Sequence, residues 1–144
     1  MVRYGFDSRR PHKTKLSYMV FTIRVELFHS SIFCFVGSDK DEMRRCLEEL
    51  SKHYELDVDE YIADTEKGNY EVRLGNDYVV HIADVEYKGG VAHELLHAAH
   101  AMLTDRGIAV GDNAEILAYT LGYITDVFYD LYDKTLAEGK NKAA

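Results

Sequence analysis

A five-residue segment, His93-Glu94-Leu95-Leu96-His97, carries the side chains of this chain whose types and spacing are best suited to chemistry. Residues four apart in an α-helix lie on one face, so the two imidazoles can bind one Zn²⁺ ion at Zn–N distances of about 2.0–2.1 Å. Glu94 stands beside this pair and can reach a water molecule on the metal. Zinc lowers the pKa of such a water towards about 7, and a carboxylate can take its proton. The segment therefore predicts hydrolysis of a carbonyl compound at a zinc centre, with Glu94 as general base.

A catalytic zinc ion needs a third protein ligand, and the candidates follow the motif. Glu115 lies 18 residues after His97, near the start of the next predicted helix. A reversal of the chain over residues 107–111 would bring it back across the two histidines. Glu115 is also the third residue after Asp112, the position of a capping-box glutamate, so a capping role stays open. Asp112 is the weakest candidate because it is well suited to cap the helix.

Three further side chains are candidates for supporting roles. His100 lies seven residues after His93, about 10 Å along a helix axis, so one zinc ion cannot readily bind it together with both motif histidines. We interpret His100 as a residue that contacts the zinc ligands or lines the pocket. An ordinary core or surface histidine is an equal alternative. Tyr119 and Tyr123 follow Glu115 on the same helix face and are candidates to hydrogen-bond an oxyanion. Ordinary aromatic packing is the favoured alternative in a chain with 11 tyrosines.

The motif is expected to lie in an apolar helix over residues 91–106, entered through Gly89-Gly90 and ended by Gly107. A helix of this composition is expected to be largely buried, and a core does not accommodate histidines and a glutamate without a reason. The context therefore favours a working site over a chance arrangement of His and Glu on a surface. A last helix is expected over 113–137.

The first half of the chain predicts a small sheet. Two strands within 18–36 form a hairpin, and a turn at Gly75-Asn76-Asp77 indicates a second hairpin over 70–82. Between them, Ser38 is expected to cap an amphipathic helix over 39–54, and a short helical turn is expected around 59–63. The expected fold class is α+β, with a small antiparallel or mixed sheet, a backing helix, an active-site helix and a C-terminal helix.

Length and composition limit the alternatives. The 144 residues fit one domain over 17–144 and a basic flexible arm over 1–16, with Arg3, Arg9, Arg10, Lys13 and Lys15. The net charge of −8 argues against nucleic acid and anionic membranes as partners, and no apolar run reaches the roughly 20 residues of a membrane helix. Two cysteines, Cys34 and Cys46, are too few for a disulfide framework. Both are expected to be reduced core residues of a chain made in a reducing cytoplasm, with later association with a virion left open.

The pattern His93-Glu94-x-x-His97 followed by Glu115 resembles the gluzincins, the thermolysin-like zinc peptidases, over about 30 residues. The resemblance implies a zincin-like fold, in which zinc is held by these two histidines and by Glu115 on a C-terminal helix. It implies hydrolysis of peptide bonds. The chain departs from the gluzincins at Tyr119, where that family has an aspartate that orients a zinc histidine. A metzincin would need a glycine at position 100, where this sequence has His100.

As a whole, the chain resembles the minimal single-domain zincin-like proteins that bacteriophages encode. Such folds imply a peptide or protein substrate that pairs with an edge strand beside the active-site helix; here the edge would be the strand over 77–83 or its neighbour. The alternative is a non-catalytic zinc module, for example a virion component, closed by a fourth ligand such as His100 after local distortion. Glu94 favours the enzyme, since a structural zinc site has no use for it. A protein without metal remains only if the motif is a coincidence.

Overall fold

The computed structural model describes residues 18–37, 39–65 and 70–143. The predicted basic arm over 1–16 and the predicted helix cap Ser38 lie outside these residues. Within them the fold is α+β, which confirms the expected class. The strands are β1 (Tyr18–Val25), β2 (Ser30–Gly37), β3 (Tyr70–Leu74) and β4 (Asp77–Ile82), and the helices are α1 (Lys40–Ser51), α2 (Val58–Thr65), α3 (Lys88–Thr104) and α4 (Ala114–Ala143).

The four strands form one mixed sheet in the order β1-β2-β4-β3. The two predicted hairpins are present as antiparallel pairs at the outer sides of the sheet. They join through β2 and β4, which run parallel and place Cys34 opposite Val80. Of the two strands expected to supply an edge, the strand over 77–83 is an inner strand, and its neighbour β3 is the edge on that side. The other edge is β1.

Alternating side chains divide the core into two layers, because successive residues of a strand point to opposite faces of the sheet. One face of β4 contributes Tyr78, Val80 and Ile82 to a large core beneath α3 and α4. The other face contributes Val79 to a smaller core with Met43 and Leu47 of α1 and with residues of α2. The sheet thus lies between two layers of helices, and the motif belongs to the layer that covers the larger core.

Two helix starts differ from their predictions. The carboxylate of Asp39 accepts hydrogen bonds from the backbone N–H groups of Asp41 and Glu42, so Asp39 caps α1. Asp112 ends a short 3-10 turn over Val110–Asp112, and the prediction that it caps α4 is wrong. The residue before α4 is Asn113, whose carbonyl accepts a hydrogen bond from the backbone N–H of Leu117.

Hydrogen bonds from Arg106 connect the end of α3 to the turns of both hairpins. Its guanidinium donates to the carbonyls of Met102 and Phe28 at 2.9 and 2.8 Å and lies over the Phe28 ring. Next to it, the Tyr78 hydroxyl donates to the Asp105 carboxylate at 2.6 Å, and Arg73 of β3 pairs with the same carboxylate. These bonds fix the direction and the level of α3 on the sheet.

Both cysteines are free thiols, as the sequence predicts. Cys34 is buried under α3 and α4, and burial raises the pKa of its thiol. None of the helices in the described ranges combines the length and the apolarity that crossing a membrane requires.

Candidate metal centre

The two motif histidines converge on each other from adjacent turns of α3. Their Nε2 atoms are 3.0 Å apart, and their ring centroids are 4.6 Å apart. A tetrahedral Zn²⁺ with Zn–N bonds of about 2.0–2.1 Å would separate its nitrogens by about 3.3 Å. The pair therefore fits two positions of a zinc ion after a displacement of a few tenths of an ångström. This convergence confirms the geometric prediction that the i and i+4 side chains share one helix face.

Glu94 occupies a different environment from the histidines that flank it. Only 6% of its surface is exposed, and its Oε1 lies 4.0 Å from Nε2 of His93. Burial raises the pKa of its carboxyl group, and the imidazoles of His93 and His97 oppose that shift. A carboxyl group whose pKa is raised in this way is better matched to accepting a proton near neutral pH than an exposed one.

The histidines of α3 are not core residues, which corrects the reasoning that the apolar helix would bury them. His93, His97 and His100 are all exposed, whereas the opposite side of the helix, which includes Leu95 and Ala98, is buried on the sheet. Most of the apolar residues around the motif in the sequence pack away from it, whereas Ala92 and Leu96 are exposed beside the histidines. The motif is consequently an open surface feature, with the buried Glu94 at its margin.

Glu115 does not join the two histidines in this arrangement. It is exposed in the first turn of α4, and it is the second helical residue rather than the third as predicted. Among the side chains that the structure describes, no group of three or more from His, Cys, Asp or Glu is close enough to hold a metal ion. Of the four residues assigned to the zinc site, the structure brings together His93, Glu94 and His97.

The separation of Glu115 follows from the directions of α3 and α4. The Tyr123 hydroxyl donates to the carbonyl of Arg24 at 3.1 Å, at the end of the sheet where Tyr78 holds Asp105. Further along β1, the ring of Phe21 contacts the ring of Phe128. The helix α4 thus leaves this end of the sheet, while α3 approaches it, and the two helices are antiparallel.

This antiparallel arrangement places the predicted ligands on opposite sides of the end of the sheet. Glu115 lies eight residues before Tyr123, and His97 lies eight residues before Asp105. Eight residues of helix span about 12 Å along the axis. A third ligand for the histidine pair must therefore come from a rearrangement of the segment between α3 and α4 together with the start of α4, or from a group outside these helices.

The supporting residues are placed as follows. His100 is exposed on the same face of α3 as the pair, and it is not part of any group that could hold metal within the described residues. Tyr119 is 76% exposed. The hydroxyl of Tyr123 donates a hydrogen bond to the carbonyl of Arg24 at the end of β1. Neither tyrosine contacts the histidine pair, so the structure does not bring these candidates to the site.

His81 of β4 is a buried titratable residue that the sequence analysis did not single out. It is 2% exposed, its Nδ1 has no hydrogen-bond partner among the residues that the structure describes, and burial lowers its pKa to about 4. Its position in the apolar run Tyr78-Val79-Val80-His81-Ile82 is the signal that indicates burial. His81 pairs with Phe35 and lies on the face of the sheet that α1 and α2 cover, away from the motif.

Comparison with known proteins adds no relative: no family model, no curated protein and no solved structure matches the chain.

Proposed function

We propose that the chain is a zinc-dependent hydrolase of the peptidase class, with its metal at His93 and His97 and its general base at Glu94. The observation that carries the proposal is the 3.0 Å convergence of the two Nε2 atoms next to a buried carboxylate. Two imidazoles alone would also suit a structural metal site. Glu94 distinguishes a hydrolase, since a buried glutamate beside the two histidines is the proton acceptor that hydrolysis needs and is not required for a structural ion.

In this proposal the two histidines bind the metal ion and Glu94 transfers the proton. His93 and His97 would hold the ion through Nε2, and the ion when bound would polarise a carbonyl and acidify a water molecule. Glu94 would accept the proton of that water at its carboxylate and pass it to the departing amine. Glu115 remains our candidate for the third ligand of the catalytic form, and this role requires the segment between α3 and α4, with the start of α4, to refold back over the histidine pair.

The substrate would lie along β3, the edge strand on the side of α3. The helix α3 packs over β4 and β3, and Arg73 of β3 pairs with Asp105 at the end of α3, whereas α4 covers β1. An extended peptide can add to such an edge by backbone hydrogen bonds, with pockets selecting alternate side chains. An edge strand of this kind pairs with an extended chain, so the substrate class that we propose is a peptide or protein.

The test is hydrolysis of a peptide library by the tag-free chain loaded with zinc. Glu94→Gln should lower the rate by about 10²–10⁴-fold, the usual contribution of a general base, and should leave the zinc content unchanged. His53→Ala, which removes an exposed histidine after α1, should leave both unchanged. Loss of zinc from Glu94→Gln would show that the glutamate is a ligand, and equal rates for the two variants would exclude it as the base.

The alternative is a non-catalytic zinc module, and one observation favours it. The described residues offer two ligands in one place and no third. If two further protein ligands come from outside this group, the zinc ion has four protein ligands and no open position. That is the coordination of structural zinc sites. A chain that binds zinc and hydrolyses no peptide in the library would support this alternative.

A further inference from the structure

After the exposed Lys88 at its first position, α3 presents no charged side chain on its outward face. Between Lys88 and Asp105, its exposed residues are Gly89, Ala92, His93, Leu96, His97, His100 and Thr104, which we call the neutral face. In this chain 29% of residues are charged and the net charge is −8. The neighbouring helix α4 follows that composition, with Asp126, Asp130 and Asp133 exposed. An uncharged exposed face on such a molecule is typical of a surface that another molecule covers.

The histidine pair lies on this neutral face and is incomplete as a zinc site. Side-chain exposure is 66% at His93, and the Leu96 side chain beside it is also exposed. Zinc takes four ligands, and the pair supplies two. Because Glu115 and His97 lie on opposite sides of the end of the sheet, the described fold does not complete the site from within one chain.

We propose that the neutral face is a self-association surface, on which two copies of this chain share one zinc ion. Each copy would contribute its own His93 and His97, so the ion would have four nitrogen ligands. This inference rests on the proposed binding of zinc by the pair, and it adds the partner that completes the coordination. A second copy is suited to this role, because a two-fold axis through the ion brings identical pairs together from opposite sides.

Charge explains why the occupant would be a second copy, and why it would meet the first at this face. Two chains of charge −8 repel each other, and exposed carboxylates on α4 oppose contact there. On the neutral face no like charges meet, and the two positive charges of the ion lie between the copies. Leu96, 41% exposed between the two histidines in the sequence, would become buried and add an apolar contact.

Association of this kind would close the site. Four protein nitrogens leave no coordination position for a water or a substrate, which hydrolysis requires. The dimer would therefore be a resting form of the proposed peptidase, and free single chains would be the form able to act.

The experiment is sedimentation velocity on the full, tag-free chain while zinc is added in steps. The mass should double, with the largest dimer fraction at one zinc ion for every two chains. Excess zinc should lower that fraction, since each pair then holds its own ion, and EDTA should restore the monomer. Cobalt in place of zinc should give the absorption of a tetrahedral nitrogen site at the same stoichiometry.

Three variants separate the possible outcomes. His93→Ala should remove the zinc-dependent dimer. Leu96→Arg puts like charges at the centre of the contact without adding a zinc ligand, and this variant should stay monomeric while still binding zinc. Leu27→Arg makes the same change at a residue 79% exposed in the turn after β1, and it should dimerise as the parent does.

A parent chain that binds zinc and remains monomeric throughout would overturn the shared site and leave the metal proposal standing. A chain that binds no zinc would overturn both. Dimers that form without zinc, or that persist in His93→Ala, would show that the face associates by another means and would also overturn the shared ion. Capture of a different protein on the neutral face, with the chain itself monomeric, would reassign the face to that partner.

Discussion

At the residue scale, one step along α3 separates an exposed imidazole from a buried carboxylate. Successive residues of a helix are rotated by about 100°, so His93 faces solvent while Glu94 turns towards the protein. Exposure leaves the imidazoles accessible to a metal ion, and burial raises the pKa of the glutamate. The same five residues would be chemically ordinary on a fully exposed helix, because the carboxylate would keep its usual acidity.

Glu115 provides the sharpest residue-level test of the catalytic proposal. If it becomes the third ligand, Glu115→Ala should weaken zinc affinity by more than about 100-fold, the upper end of what an outer-shell partner contributes. The zinc titration and a melting curve should both be measured in the Leu96→Arg background, which we expect to be monomeric. A loss of about 0.3–1 kcal/mol of stability with unchanged zinc affinity would mean that Glu115 only interacts with the dipole of α4.

His81 gives a prediction about acid stability. Its pKa is 6.5 in an unfolded chain and about 4 in the fold, because burial disfavours the charged ring. Between these values the unfolded chain binds the extra proton, so the free energy of unfolding should fall as the pH falls from 6.5 to 4. The contribution, full above pH 6.5, should decline by up to about 3 kcal/mol across this window. Urea unfolding of the parent at several pH values measures the decline.

The matched variants for this prediction are His81→Leu and His53→Gln. His81→Leu should flatten the decline between pH 6.5 and 4, because no buried imidazole is left to exclude a proton. His53→Gln removes an exposed histidine and should keep the slope of the parent. An unchanged slope in His81→Leu would show that another group carries the acid dependence.

At the scale of elements, local patterns predicted the parts and could not predict their mutual placement. The alternation in β1, the Gly75-Asn76 turn and the helical spacing of the motif each depend on neighbouring residues, and each element is found. The level of α4 against α3 depends on the contacts of Tyr123 with β1 and of Asp105 with β4, which are distant in sequence. For this reason the histidine pair followed from spacing, while the position of Glu115 did not.

Two glycines near the candidate site should respond to alanine with opposite changes in stability. Gly107 ends α3 with φ of +75°, a conformation that L-residues avoid, so Gly107→Ala should cost about 1 kcal/mol or more. Gly122 lies inside α4 with open space around the position of a Cβ, so Gly122→Ala should stabilise the fold by about 0.5–1 kcal/mol. Thermal melting of both variants checks the signs, and equal effects would contradict the assigned backbone roles.

At the scale of the whole molecule, the functional features concentrate on one side of the sheet. The helix α3 carries the histidine pair and an uncharged surface, while its neighbour α4 and the helices α1 and α2 on the other side expose charged residues such as Asp130, Arg44 and Asp59. The fold therefore presents one neutral face on an acidic body. This division connects the proposed metal site with the proposed contact between copies, because both use the outward side of α3.

The central claim is that His93 and His97 bind zinc, and a competition titration against a chromogenic chelator tests it most directly. The tag-free parent chain should withdraw zinc from the chelator. His93→Ala and His97→Ala should each bind more than about 100-fold more weakly, since one imidazole cannot hold the ion alone. His100→Ala should bind zinc as the parent does, because His100 lies on the same face of α3 but is not one of the two converging histidines. A parent that fails to withdraw zinc, or a His93→Ala variant that withdraws it equally well, would contradict the account.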